Sequence, residues 1–130
     1  MPTSAKNFML DKGYDAGGAI IKFRGVKFSA DQTVVQVTAS TDLACGVAQE
    51  AVTAGEQARG KGCPVAIEGV TEAEAGAAIT IGQEVMFNAS GKVIPATSTN
   101  RACGQCVGSP TTADGQRTMI HLALPGRLVA

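Results

Sequence analysis

Cys103-Gly104-Gln105-Cys106 is the most conspicuous chemical motif in this 130-residue chain. A thiol–disulfide exchange site needs such a pair at a helix N-terminus, where amides and dipole lower the thiolate pKa. Here the segment runs on into Val107-Gly108-Ser109-Pro110, and Gly and Pro oppose a helix. The redox reading lacks its setting. A zinc site built from Cys45, Cys63, Cys103 and Cys106 is the second possibility, but structural zinc usually takes two paired knuckles and only one pair exists. All four cysteines are therefore expected as reduced, unmetallated thiols that pack as small hydrophobes.

The other reactive side chains gather into no site. His121 is the only histidine, and strand alternation sets it opposite Ile120, Leu122 and Leu124, on the less buried face. Glu50, Glu56, Glu68, Glu72, Glu74 and Glu84 are scattered, and no two stand out as acid and base. Asn88-Ala89-Ser90 has the N-glycosylation pattern but reads as a turn, and Gly17-Gly18 lacks the strand–glycine–helix context of a phosphate loop. No catalytic residue, cofactor site or metal ligand is expected.

The elements that would position these residues are short strands. Turn signals recur about every 8–12 residues and no segment carries a long helical stripe, the pattern of a small all-β sandwich or barrel. Strands are expected near residues 19–23, 33–38, 43–48, 64–68, 84–87, 92–95, 102–107 and 117–124, with at most one or two short helices. Ala19, Ile21 and Phe23 would share one face, and Val35 and Val37 would point inward. A bulge or tight turn is expected at Arg24-Gly25, where the apolar parity passes to Val26 and Phe28. Residues 49–58 read as a helical turn or a wide loop. Thr71 to Gly76 is the best helix candidate, with Glu74 at capping-box spacing from Thr71, so Glu72 and Glu74 would sit on poorly aligned faces.

An internal repeat organises the chain. Residues 44–69 (ACGVAQEAVTAGEQARGKGCPVAIEG) return in divergent form at 102–126 (ACGQCVGSPTTADGQRTMIHLALPG). Both open Ala-Cys-Gly, pass a small-residue turn and end in an alternating strand, with Cys63, Val65 and Ile67 taking the places of Ile120, Leu122 and Leu124. Two copies are too few for a solenoid. One β domain over residues 19–130 is expected, with repeat units at about 43–69 and 102–126 and an internal two-fold repeat.

Residues 1–27 hold Lys6, Lys12, Lys22, Arg24 and Lys27 against Asp11 and Asp15, five cations against two anions, hence +3. The whole chain is neutral, so the remainder carries −3. That argues against a nucleic-acid footprint over the molecule. No apolar run approaches the roughly 20 residues that span a bilayer, and the start lacks the apolar core of a secretory signal, so a cytoplasm is the expected compartment. Residues 1–18 read as an extended arm holding Lys6, Phe8, Met9, Lys12 and Tyr14. Such an arm is expected to dock onto a partner, with Phe8, Met9 and Tyr14 as anchors and the lysines meeting acidic groups. The alternative is that it folds back on its own domain.

The stretches CGVAQEAVTAGEQARG, CPVAIEGV, AAITIGQEVMFNASGKVIPATSTNRACGQCVG and RTMIHLAL resemble the head decoration, or capsid cement, proteins of tailed bacteriophages. The shared phrases are Gly46-Val47-Ala48-Gln49-Glu50-Ala51 and the hairpin from Gly82-Gln83-Glu84-Val85 through Gly91-Lys92-Val93 to Ala96-Thr97. The resemblance spans residues 43–124 and departs from the family at Cys103 to Gly108. It implies a small β-rich protein that binds the major capsid protein on the outside of an icosahedral head and stabilises the shell, without enzymatic activity or cofactor. It implies a homotrimer at local threefold positions, or a dimer as in cement proteins of other folds, made in the host cytoplasm and carried on the virion.

Two other classes remain open on the residues. A biotinyl or lipoyl carrier domain is also a short duplicated β-sandwich, and ITIGQEVMF echoes its Val-x-x-Gly-x-x-Val phrase. It needs a lysine at a hairpin tip, whereas Met86 is followed by Phe87 and Asn88, and Lys92 lies past Gly91. The other is a small zinc or redox protein centred on Cys103 and Cys106.

Overall fold

β-Branched residues at alternate positions, broken by glycine and Asn/Asp turns, form strands here almost throughout. The computed structural model describes residues 9–97 and 101–128. Among them the elements are β1 (Met9–Ala16), β2 (Gly25–Ala30), β3 (Thr33–Gln36), β4 (Ala44–Ala48), α1 (Ala54–Ala58), β5 (Gly62–Glu74), β6 (Glu84–Phe87), β7 (Val93–Pro95), β8 (Arg101–Gly108) and β9 (Arg117–Leu128). The all-β expectation holds, and the barrel form is the one adopted. Strands β1-β3-β2-β4-β5 lie side by side, and β5 also pairs with β1, closing a five-stranded barrel. The sheet continues β5-β9-β8-β6-β7, and a parallel bridge from Ala75 to Val93 brings β7 back to the end of β5. Closure leaves few open strand edges.

The duplication is larger than the Cys-containing segments. Ala16-Gly17-Gly18-Ala19-Ile20 before β2 matches Ala75-Gly76-Ala77-Ala78-Ile79 before β6. The hydrogen bonds match too. Gly17 N–H donates to the Val34 carbonyl and Gly76 N–H to the Val93 carbonyl, both at 2.8 Å, and the exchanged pair between Ile20 and Val52 recurs between Ile79 and Thr111. Phe23 and Gly82, at equivalent turns, both have positive φ, as do Gln32 and Gly91. By this correspondence β2, β3 and β4 answer to β6, β7 and β8. Strand β1 answers to the C-terminal half of β5, and the N-terminal half of β5 answers to β9. The 13-residue β5 thus belongs to both units.

Each unit has its own core at equivalent positions. Ile20, Val26, Val34 and Val65 fill the first barrel, and Ile79, Val85, Val93 and Ile120 the second. Ala48 pairs with Val65 as Cys106 pairs with Ile120, so Val65, not Cys63, is the counterpart of Ile120. The expected offset was therefore two residues out, because the loops between the paired strands differ in length.

Several local expectations are corrected. Residues 19–23 form no strand: Ile20 is buried in a single bridge, while Phe23 turns the chain with φ 64°. Val34 and Val37 are buried rather than Val35, because β3 ends at Gln36. Thr71 to Glu74 is strand, since pairing with Arg117 to Ile120 supplies a ladder that an isolated cap cannot match. Glu72 and Glu74 consequently share a strand face, opposite buried Thr71 and Ala73. The true capping box is Thr53 with Glu56 on α1. Residues 9–16, read as part of an extended arm, are β1 and pair with Gly62 to Gly69, so this part folds back on its own domain. There the backbone finds partners on both sides, β3 and β5, which a solvated tail does not.

Candidate functional site

The cysteine motif does not make a reactive site. Cys103 and Cys106 lie on β8, buried in the second core, and Cys63 is buried in the first. Burial pushes the Cys103 thiol up to about 12 and those of Cys45 and Cys63 up to about 11. That is opposite to what thiol exchange requires. The Cys106 sulfur sits 3.2 Å from the Thr118 hydroxyl, inside the β8–β9 pair. Among the described residues no three His, Cys, Asp or Glu side chains gather into a metal-binding set, and no helix is long and apolar enough to cross a membrane.

These raised values make stability pH-dependent in a defined direction. The folded thiols hold their protons above the unfolded value of about 8.5. Their contribution is present below that value and is lost as pH rises through it towards the folded values. Thiol titration by an alkylating reagent should accordingly show no native-state reaction step near pH 8.5 for Cys63 and Cys103. A fast step there in the folded protein would refute their burial.

The carrier reading fails on geometry. Lys92 is not presented at a tip: its Nζ lies 2.8 Å from an Asp114 carboxylate oxygen and 3.6 Å from one of Glu74. Asp114 raises the Lys92 pKa, and Lys92 lowers that of Asp114. His121 is outward-facing and exposed, as alternation requires.

What remains is surface, and the duplication shows how it arises. The two units meet where Phe87, 5% exposed, packs over Gly25 with Val37, Val47 and Ala66 in the same buried cluster. Around this contact Gly25 N–H donates to the Gly91 carbonyl at 2.8 Å and Glu74 N–H to the Phe23 carbonyl at 2.9 Å. The Arg24 guanidinium bonds the Glu74 carboxylate at 3.0 Å, and that of Arg117 lies 4.5 Å from the centre of the Phe23 ring. Among the described residues each half of this joint has a counterpart that the other unit does not cover. The counterpart of Phe87 is Phe28, 51% exposed, with its ring edge-on to Tyr14 at 5.3 Å. The counterpart of the receiving face is a groove of about 330 Å³ on β6, β8 and β9, lined by Glu84, Ala102, Gly104, Gln105, His121 and Ala123. Glu84, Gln105 and His121 stand in register across those three strands.

Of the residues expected to contact a capsid, Lys6 and Phe8 lie outside the described residues. Met9 begins β1 opposite Gly69. Lys12 is exposed, with its ammonium 5.4 Å from the centre of the Tyr14 ring. Tyr14 is 9% exposed and belongs to the first core, so it supports Phe28 from beneath. Lys12 and Tyr14 are brought together, and Phe28 joins them from β2. Sequence reading missed Phe28 as a surface residue because its parity matched Val26. Aligning AGGAIIKFRGVKF at 16–28 with AGAAITIGQEVMF at 75–87 would have paired it with Phe87.

Comparison with known proteins agrees with this picture. A solved structure, the head fiber gp8.5 N base of bacteriophage phi29, superposes with a TM-score of 0.67 over 95% of this chain and 100% of that chain. Sequence identity is 17%, so the likeness is one of fold. No curated protein matches the sequence. A family model described as phage cement protein matches residues 18–122, from the segment after β1 to the middle of β9, and on that ground this chain belongs to the phage cement protein family.

Proposed function

We propose that this capsid-decorating chain attaches to the outer surface of an icosahedral phage head by contacting the major capsid protein, and that it works there as a homotrimer at local threefold positions. The observation that carries the reading is the cement-family match across residues 18–122. Two fused barrels with separate cores suit a clamp that must keep its shape while shell subunits move. Lys12 and Phe28 offer a cation beside an exposed aromatic ring, with Lys6, Phe8 and Met9 on the chain leading into β1. Aromatic anchors with basic neighbours suit an acidic, partly apolar capsid patch. The role is structural and needs no cofactor or catalysis, and synthesis in the host cytoplasm suits the four free thiols.

The test is to mix the purified protein with expanded, undecorated heads. Stoichiometric co-sedimentation and a higher temperature of head disruption are expected, since a ligand that binds only the intact shell stabilises it by mass action. Removing residues 2–8, which leaves β1 whole, should weaken binding about tenfold, or 1.4 kcal/mol. Failure of the full chain to bind heads at micromolar concentration refutes the reading. Unchanged affinity in the truncated chain removes Lys6 and Phe8 from the contact.

A further inference from the structure

We propose that copies of this protein associate head to tail, with Phe28 of one copy seated in the β6–β8–β9 groove of the next. The self-association it explains rests on the homotrimer reading above. One such joint is already made inside the chain. Phe87 at the end of β6 occupies the face formed by Gly25, Val47 and Ala66 on β2, β4 and β5 of the first unit. Duplication gives every chain a second knob and a second hole of the same descent. The knob is Phe28, exposed at the end of the equivalent β2. The hole is the groove on β6, β8 and β9, in which Glu84, Gln105 and His121 replace Gly25, Val47 and Ala66. Among the described residues neither is covered by another element, and the two are different surfaces. A contact between them is heterologous, and repetition closes a ring or runs on as a filament.

The replacements show how the intermolecular joint differs from the internal one. A side chain at position 25 would strike the Phe87 ring, with an added Cβ 2.7 Å from its nearest carbon. Glu84 in that place moves the incoming ring away from β6, onto the small floor made by Ala102, Gly104 and Ala123. Gln105 and His121 then border the ring with polar groups, and the Gln105 side-chain amide is held by the Gly82 carbonyl at 3.0 Å. A polar border around an aromatic anchor is the anatomy of an interface whose halves must also survive in water. The internal joint is lined by buried apolar side chains instead.

The experiment uses two variants at exposed sites, Phe28→Asp to disable the knob and Ala123→Arg to fill the groove, each checked for wild-type circular dichroism. Sedimentation at high protein concentration reads their size, alone and mixed. Wild type is expected to form a closed oligomer or longer chain, each variant to stay monomeric, and their equimolar mixture to stop at a heterodimer. A photo-crosslinking residue at position 28 is expected to label residues 102–106 or 119–123 of another copy. Wild-type assembly that both variants retain overturns the proposal. So do a monomeric wild type with no such cross-link in solution or on heads, and a cross-link to another part of a second copy. A cross-link from position 28 to capsid protein alone also overturns it while leaving capsid binding intact, so the two readings fail separately.

Discussion

Gly46→Ala and Gly104→Ala are each expected to destabilise the protein by about 2–3 kcal/mol, the cost of forcing a methyl into a packed site that cannot relax. At this chain length that corresponds to about 8–12 °C in Tm. The two glycines are counterparts, on β4 and β8. A Cβ at Gly46 would be driven into the Ala66 carbonyl oxygen, and one at Gly104 into that of His121. These oxygens belong to the neighbouring strand, so no rotamer change relieves the clash. Gly55 on α1 is the control, since a Cβ there meets only the Arg59 guanidinium at 3.5 Å. Gly55→Ala should gain roughly 0.5–1 kcal/mol by limiting the unfolded chain. Thermal melts of the three variants decide the matter. Wild-type stability in both Gly46→Ala and Gly104→Ala would mean that β4 and β8 do not approach β5 and β9 as described.

The second large effect separates two phenylalanines of common descent. Phe87→Ala should cost about 3–5 kcal/mol, as truncation of a buried aromatic side chain does. It empties the joint over Gly25 and removes a member of the larger core cluster. Phe28→Ala should cost well under that, about 0.5–1 kcal/mol, because half of its surface is already in water and its main partner is the edge of Tyr14. Denaturant titration of both variants with a common m-value provides the comparison. Equal losses would show that Phe28 is buried in solution. Its effect is expected instead in assembly, where Phe87→Ala is confounded by loss of fold.

The strand content was legible in the residues. The β-branched and apolar runs TVVQ and EVMF and the alternation in RTMIHL are local properties, and turn residues bound the first two on both sides. The strands β4, β6, β7, β8 and β9 lie close to where pattern alone placed them. The cement-family resemblance was legible for a related reason: its phrases are turns and close-packed small residues, which tolerate little change. Segments whose state depends on a distant partner were not legible. Thr71 to Glu74 has a cap-like spacing, yet pairing with β9 more than forty residues away makes it strand. Met9 to Ala16 holds no β-branched residue to mark it as strand, and its extended state comes from pairing with β3 and β5.

By itself, then, the sequence determined an all-β chain with a duplicated Ala-Cys-Gly unit and a resemblance to the phage cement family. Tertiary structure decided that the duplication takes in whole barrels and that one long strand serves both. It also decided that Phe87 is covered while Phe28 is not. The two rings follow the same local pattern, Val-x-Phe after a turn, so no local rule separates them. What separates them is the neighbour: Phe87 faces the bare backbone of Gly25 in the adjoining unit, whereas Phe28 meets the Tyr14 ring edge-on and stays half-exposed.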